Sequence, residues 1–169
     1  MKKVKGDVLV SVLMGSDSDL STMKEALETL KKFDIPYELF LTSAHRTPER
    51  TTNFARKAEE RGVKVLIVGA GAAAHLAGVI ASHTRLPVIG VPIDATSIGG
   101  RDALLSTVQM PGGIPVATMA IGKAGARNAA LMAVRILALG DAPLRKKLQQ
   151  HAEQMAREVE EKHKKLECL

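Results

Sequence analysis

The segment KVLIVGAGAAAHLAG, residues 64–78, decides the fold. Residues 64–70 form a short apolar run typical of a strand buried on both faces, and the glycines and alanines that follow predict a close turn into a helix. The same kind of apolar run recurs along the chain. We therefore predict five strands, at 7–15, 36–42, 64–70, 87–93 and 115–121.

Segments with helical periodicity lie between these runs. We expect the first helix behind a cap at Asp17 or Ser18, and the second at Pro48 behind a Thr47 cap, because proline suits the first turn of a helix. Further helices are predicted at 75–83, 101–109 and 126–139. Strands that alternate with helices indicate an α/β fold, a single domain built on a doubly wound parallel sheet.

The segment 141–169 differs in character from the rest. It is highly charged and carries a narrow apolar stripe that includes Leu148, Met155 and Val159. We predict one domain over 1–140 and an extra C-terminal helix over 141–169. That helix lies either on its own domain or on a neighbouring subunit, where it would help to pack an oligomer.

The composition fits this fold and excludes a nucleic-acid binder. Of the 169 residues, 46% are hydrophobic but only 2% are aromatic, so aliphatic side chains must pack the core, as they do in buried parallel sheets. The net charge of +6 is spread along the chain and forms no basic stripe. A mildly positive field instead favours a small anionic substrate.

Two features of the chain favour a cytoplasmic protein without membrane association. Cys168 is the single cysteine, so it forms no internal disulfide, and thiolates cannot build a metal cluster. The first apolar run follows basic residues but is too short for a membrane span and lacks a small-residue cleavage site. We interpret it as the first strand and not as a signal peptide.

The turns that follow the strands should hold the site, because ligands of doubly wound sheets bind beyond the carboxyl ends of the strands. The first such turn is MGSDSD, residues 14–19. Ser16 can offer its hydroxyl and its backbone N–H to an anion, and Asp19 can accept hydrogen bonds from ribose hydroxyls. Ordinary N-capping of the helix is the alternative interpretation of this turn.

The second turn lies in LTSAHRTPER, residues 41–50. The planar guanidinium of Arg46 suits a phosphate, and the hydroxyl of Ser43 adds a hydrogen bond. His45 titrates near neutrality, so one imidazole can serve as both acid and base. This turn therefore predicts a site that binds a phosphate and moves a proton.

The third turn suggests a different ligand. Gly69, Gly71 and Ala74 fit the G-x-G-x-x-A pattern of a dinucleotide site, and Asp94 ends the next strand, where an acid could meet a ribose. A phosphoacceptor signalling domain would need an aspartate at the end of this third strand. Since residues 69–71 are Gly-Ala-Gly, we exclude that class of protein.

Taken together and in this order, four segments resemble the class I N5-carboxyaminoimidazole ribonucleotide mutase family, which is the family of the phosphoribosylaminoimidazole carboxylase catalytic subunit. The segments are MGSDSD, SAHRTP, GAGAAAHLAG and VQMPGGIPVATMAIGKAGARNAA. Arg46 directly after His45 and the alanine-rich third turn are similar to the mutase form. The animal-type carboxylase usually has lysine after that histidine.

The resemblance implies a flavodoxin-like domain with strand order 2-1-3-4-5, assembled as a homo-octamer. It implies a substrate that carries a carbamate on the exocyclic nitrogen of an aminoimidazole ribonucleotide, and transfer of that carboxylate to ring carbon C4 in purine biosynthesis without ATP, biotin or metal. By this resemblance His45 transfers protons. The implied substrate-binding residues are Ser16, Ser18, Asp19, Ser43, Arg46, Gly71, His75 and Leu76.

The chain departs from the family pattern at three positions. Ala72 stands where glycine is usual, Ala77 where proline is usual, and Arg101 where an apolar residue is usual. We expect the first two to alter the backbone freedom of the third turn. His83, His151 and His163 match no motif and are predicted to be surface residues.

Overall fold

The computed structural model describes residues 8–167, so residues 1–7 and 168–169, which include Cys168, lie outside it. The chain divides into two compact units, and the boundary between them along the sequence falls between Ala133 and Val134. The first unit carries a five-stranded, all-parallel sheet in the order β2-β1-β3-β4-β5, which confirms the order that the resemblance implies. The strands are β1 (Val10–Met14), β2 (Tyr37–Leu41), β3 (Val65–Gly71), β4 (Val88–Ile93) and β5 (Ala117–Thr118).

The central strands are buried because helices cover both faces of the sheet. Leu66 and Ile67 are neighbours in β3 whose side chains point to opposite faces, yet both are fully buried. Burial of each such side chain stabilises the fold by about 1.5–3 kcal/mol. A parallel sheet covered on both faces explains why these strands appear in the sequence as continuous apolar runs.

The fifth strand is much shorter than the predicted span of 115–121. Only Ala117 and Thr118 pair with β4, opposite Ile89 and Gly90. Pro115 lies just before the strand and has no backbone N–H, so it cannot donate to a sheet ladder. The apolar run at 115–121 is therefore mostly irregular chain at the edge of the sheet.

Helices form in all the predicted regions. They are α1 (Leu20–Lys32), α2 (Pro48–Lys57), α3 (Leu76–Ala81), α4 (Arg101–Val108), α5 (Gly122–Leu137) and α6 (Ala142–Leu166), with a short 3-10 turn at Asp17–Asp19. Helix α5 begins at Gly122 and not at the predicted 126. Because glycine is a poor helix former, Gly122 and Gly125 made the first turn of this helix look like a loop in the sequence.

The helices of the first unit pack on opposite faces of the sheet. A Cβ added to Gly69 of β3 would meet Met23 of α1, whereas a Cβ added to Gly90 of β4 would meet Thr107 of α4. Helices α2, α3 and α4 pack into one hydrophobic cluster, to which they contribute Phe54, Ile80 and Ala103. Helix α1 therefore covers one face, and α2, α3 and α4 cover the other.

The strand register brings the carboxyl ends of the central strands to one edge. Met14 at the end of β1 lies opposite Leu41 of β2 on one side and Gly69 of β3 on the other. Gly71 at the end of β3 lies opposite Ile93 of β4. The turns that follow these strands consequently leave the sheet at the same place.

The second unit contains the last part of α5 and the long helix α6. Asp141 caps α6 by accepting a hydrogen bond from the backbone N–H of Leu144 at 2.8 Å, and the Arg145 guanidinium donates to the carbonyl oxygens of Ala138 and Leu139. Met155 and Val159 of the predicted stripe are exposed. Among the described helices, none is both long and apolar enough to cross a membrane. The predicted boundary at 140 stays a prediction.

Candidate active site

A cavity of about 330 Å³ lies at the edge of the sheet where β1, β2 and β3 end. Its wall is built from the turns that follow these strands, with Ala95 contributed from beyond β4. All the residues that the family resemblance implies for the site line this cavity, and they are Ser16, Ser18, Asp19, Ser43, His45, Arg46, Gly71, His75 and Leu76. Their proximity follows from the parallel pairing of β2, β1 and β3, because adjacent parallel strands end at the same edge of the sheet.

The turn after β1 is held by a capping box. The Ser16 hydroxyl accepts a hydrogen bond from the backbone N–H of Ser18 at 3.3 Å, and the Asp19 carboxylate accepts one from the backbone N–H of Ser16 at 3.0 Å. The expected cap of α1 at Asp17 or Ser18 is wrong: Ser16 caps the 3-10 turn that precedes α1, and the N-cap of α1 itself is Asp19, which makes no side-chain cap bond. The expectation that the Ser16 backbone N–H is free for an anion is also wrong, since Asp19 already uses it.

Asp19 is a buried carboxylate in this turn, with only 4% of its surface exposed. Burial raises the pKa of Asp19, because removal from water disfavours the charged form, and the nearby Asp17 charge acts in the same direction. Hydrogen bonds from the backbone of Ser16 and Gly15 oppose this rise. Desolvation is the largest of these effects, so ionised Asp19 carries an energetic cost in the folded chain.

The turn after β2 places Arg46 against the first turn. One guanidinium nitrogen of Arg46 donates to the carbonyl oxygen of Gly15 at 2.9 Å, which joins the turns that follow β1 and β2. The Ser43 hydroxyl accepts a hydrogen bond from the backbone N–H of Arg46 at 3.2 Å. Since a guanidinium has five N–H donors, Arg46 keeps donors for an anion in the cavity.

A group of threonine hydroxyls holds this second turn from behind. The Thr47 hydroxyl accepts from the backbone N–H of Ser43 and donates to the Ser43 carbonyl oxygen, each at 3.0 Å. The buried Thr42 hydroxyl lies 3.2 Å from that of Thr47 and 2.8 Å from that of Thr51. Thr47 precedes Pro48 as predicted but makes no side-chain cap bond, because its hydroxyl faces back to Ser43.

The imidazoles of His45 and His75 contact each other in the cavity. The Nε2 atom of His45 lies 2.9 Å from the Nδ1 atom of His75, and the two rings are almost perpendicular. One nitrogen of this pair must donate and the other accept, so the pair shares a proton. Both residues are exposed in the single chain, so nothing in it keeps water away from the two rings.

The turn after β3 contains a strained residue. Ala72 has a φ of +52°, a left-handed conformation that costs an alanine about 1–2 kcal/mol and that glycine adopts freely. This is the position where the family resemblance implies glycine. A Cβ at Gly71 would lie 2.5 Å from Ala95, so the neighbouring position is closely packed. Leu76 is buried in the core and contributes only wall to the cavity.

The dinucleotide interpretation fits the structure poorly. Helix α3 begins at Leu76 and has only 6 residues, whereas a dinucleotide site uses the first turn of a helix that follows the glycines directly. Asp94 does not line the cavity. Within residues 8–167, no group of three His, Cys, Asp or Glu side chains could hold a metal ion.

Sequence reasoning missed the residues that hold the candidate site in place. The hydroxyls of Thr42, Thr47 and Thr51 and the carbonyl of Gly15 fix the two turns. Threonines on both sides of the SAHR segment are a weak signal of this support. Of the unassigned histidines, His163 is exposed as predicted, whereas His83 and His151 are half-buried. Arg101 is exposed at the start of α4.

Comparison with known proteins identifies similar chains. The sequence model of the AIR carboxylase family matches residues 9–158. An N5-carboxyaminoimidazole ribonucleotide mutase of Pyrococcus horikoshii is 58% identical, over 94% of this chain and 89% of the relative. That of Thermotoga maritima is 52% identical, over 95% of this chain and 92% of the relative. The crystal structure of Treponema denticola PurE matches with a TM-score of 0.84 and 31% identity, over 94% of this chain and 98% of that one.

Proposed function

The chain belongs to the AIR carboxylase family, and from that premise we propose that it is an N5-carboxyaminoimidazole ribonucleotide mutase, an isomerase of de novo purine biosynthesis. The reaction moves the carboxylate from the exocyclic nitrogen of the substrate to ring carbon C4, giving 4-carboxy-5-aminoimidazole ribonucleotide. One observation carries the proposal for the site. The His45 ring lines the same cavity as Arg46, Ser43 and Ser16. A group that can transfer a proton therefore lies beside a guanidinium and serine side chains of the kind that bind phosphate.

We assign the phosphate of the ribonucleotide to the second turn and the adjoining serines. Arg46 supplies a fixed positive charge and spare N–H donors, and the hydroxyls of Ser16, Ser18 and Ser43 line the same cavity. The Asp19 carboxylate lies next to this group, where it can accept hydrogen bonds from the ribose hydroxyls. Anchoring the phosphate would place the imidazole ring of the substrate toward the turn after β3.

His45 is assigned the proton transfers. In its charged form it donates a proton to the carbamate nitrogen, the nitrogen–carbon bond breaks, and CO₂ and neutral His45 are left. The electron-rich C4 then attacks CO₂, and His45 removes the C4 proton, which restores both the aromatic ring and the charged imidazole. A positioned acid or base contributes about a hundred- to ten-thousand-fold to such steps.

His75 is assigned to the carboxylate end of the site, together with Gly71 and Leu76. Its contact with His45 gives it a second role, because a hydrogen bond between the rings restricts the orientation and tautomer of His45. Small residues on the wall, including Ala70 and Ala73, leave room for CO₂ beside C4. Confinement of CO₂ beside ring carbon C4 raises the rate, because the two reactants are held close together.

The proposed assembly is a homo-octamer in the cytoplasm. CO₂ must not escape and water must be kept from the reacting atoms, yet His45 and His75 are exposed in the single chain. Apolar side chains of α4 are also exposed, including Leu105 at 57% and Val108 at 50%. Neighbouring subunits that cover these two exposed surfaces would account for both observations. Light scattering should give about 144 kDa, for eight chains of 18.0 kDa.

The first experiment is His45→Asn. The purified variant should bind the ribonucleotide with near-normal affinity and lose carboxylate transfer by at least about a hundred-fold, the lower bound for one acid–base group. His163→Asn is the matched control, because that exposed histidine lies outside the cavity, and it should keep full activity. Retained turnover in His45→Asn would remove His45 from the mechanism.

A titration with NAD(H) tests the alternative ligand. We expect no saturable binding, because the helix after β3 is too short and Asp94 is outside the cavity. Saturable binding at micromolar concentration would favour a dinucleotide site instead.

A further inference from the structure

A second cavity lies at the opposite edge of the sheet from the candidate active site. It has a volume of about 450 Å³ and is formed where α2 and α3 end and the chain turns toward β4. We call it the basic cavity, and its lining residues are Arg56, Glu59, Ser82, His83, Thr84 and Arg85. The mechanism proposed above uses none of these residues.

The side chains of the basic cavity carry an excess of positive charge. Arg56 and Arg85 contribute two guanidinium groups, and Glu59 contributes one carboxylate. Within residues 8–167, neither guanidinium makes an ion pair or a side-chain hydrogen bond, and the Glu59 carboxylate makes none either. The half-buried His83 adds an imidazole ring whose nitrogens can donate or accept hydrogen bonds. The cavity therefore has unused donors and a net attraction for anions.

The hydroxyls of the cavity differ in what they can offer. The Thr84 hydroxyl oxygen accepts a hydrogen bond from the backbone N–H of Leu86 at 3.2 Å, which leaves its own proton to donate. The Ser82 hydroxyl donates to the carbonyl oxygen of Val79 at 2.8 Å, so its proton is already used. Thr84 thus joins the two guanidinium groups as a donor toward the same space.

A simpler role exists for one of these charges. Arg56 lies in the last turn of α2, where a positive charge complements the negative end of the helix dipole. That role does not account for the placement of Arg85, His83 and Thr84 around the same cavity. It also predicts an effect on stability alone, whereas a ligand site predicts saturable binding. The two interpretations can therefore be separated by experiment.

We propose that the basic cavity binds a small anion that carries two or more phosphate groups. Its volume lies within the usual range for small-molecule sites, about 300–1,000 Å³, and exceeds what a single phosphate group needs. The lining contains no Phe, Tyr, Trp or large apolar side chain, and His83 is its single ring, so recognition rests mainly on charge and hydrogen bonds. The proposal does not depend on the function assigned to the first cavity.

The test measures calorimetric binding of inorganic pyrophosphate at constant ionic strength. All variants carry Arg46→Gln, which weakens anion binding in the candidate active site and leaves the basic cavity intact. This background should bind one pyrophosphate per chain. Orthophosphate should bind it at least tenfold more weakly, because one phosphate group reaches fewer donors.

The decisive comparison uses two charge-matched double variants. Arg56→Gln with Arg85→Gln should weaken pyrophosphate binding at least tenfold. Lys57→Gln with Lys64→Gln removes the same charge from exposed residues outside the cavity and should change the affinity less than twofold. Equal losses in the two double variants, or no saturable binding in the background, would overturn the proposal.

A gain of binding provides a check that misfolding cannot imitate. Glu59→Gln removes the only carboxylate in the lining and should tighten pyrophosphate binding severalfold, since the like charge no longer opposes the ligand. Unchanged or weaker binding in Glu59→Gln would also contradict the proposal. Thermal unfolding of every variant confirms that the compared chains are folded.

Discussion

Thr47→Val tests whether the threonine hydroxyls position the turn that carries His45 and Arg46. Valine has nearly the shape of threonine, so the change removes a hydroxyl without opening a cavity. The variant loses both bonds of Thr47 to the Ser43 backbone and its contact with the Thr42 hydroxyl. The Ser43 backbone N–H then has only water as a partner, whereas the Ser43 carbonyl oxygen still accepts a hydrogen bond from the backbone N–H of residue 47 at 2.9 Å.

The expected loss of stability follows from these bonds. Each contributes about 0.5–1.5 kcal/mol net, and the half-buried site lets water replace part of them. We expect the free energy of unfolding to fall by about 1–2 kcal/mol. For a chain of this size, that corresponds to a decrease of about 2–8 °C in the melting temperature.

The expected loss of activity is larger than the loss of stability suggests. Ser43, His45 and Arg46 lie on the turn that Thr47 holds, and a displacement of about 1 Å in a catalytic group can cost up to about a hundred-fold in rate. We expect kcat/KM for carboxylate transfer to fall about tenfold, measured well below the melting temperature. Thr47→Ser keeps the hydroxyl and should stay within about threefold of the parent chain.

Thr52→Val is the matched control. It makes the same chemical change on α2, but the Thr52 hydroxyl does not belong to the hydrogen-bonded group formed by Thr42, Thr47 and Thr51. It should leave kcat/KM unchanged. The reasoning fails if Thr47→Val loses the expected stability but keeps full kcat/KM, since the hydrogen bonds would then stabilise the turn without positioning it.

Two further predictions concern single residues of the first and third turns. Ala72→Gly should raise the free energy of unfolding by about 0.5–1 kcal/mol, seen in thermal or denaturant unfolding, because relief of the left-handed alanine outweighs the greater entropy of unfolded glycine. A lower melting temperature would contradict this. Folding raises the pKa of Asp19, so its ionisation costs stability as the pH rises above 3.8. The free energy of unfolding of Asp19→Asn, relative to that of the parent chain, should therefore increase from pH 3 to pH 7. A difference that stays constant over this range would exclude that cost.

Much of the fold could be predicted from local patterns. Apolar runs such as 64–70 mark strands, and helical periodicity marks the segments between them. The predictions failed where a local signal was ambiguous or was overridden by contacts. At the edge of the sheet only Ala117 and Thr118 pair with β4, and Ser16 caps the first turn by accepting a hydrogen bond from the backbone N–H of Ser18.

The candidate site shows the same division between local signal and contact. Its residue types could be predicted because each polar group directly follows an apolar strand, and parallel strands end at one edge. Which groups touch could not be predicted. The bond from Arg46 to Gly15 and the contact between His45 and His75 each join turns about thirty positions apart.

By itself, the sequence determined the strands, the helices and the reactive residues that follow each strand, because these depend on side-chain periodicity and on turn chemistry within a few positions. Only the tertiary structure decided that the two imidazoles lie 2.9 Å apart, that Arg46 donates to the carbonyl oxygen of Gly15, and that Arg56 and Arg85 line a second cavity. These contacts depend on how strands pair and how helices pack across the sheet. That arrangement is the one that buries apolar side chains best over the whole domain, so no single segment of the sequence encodes it.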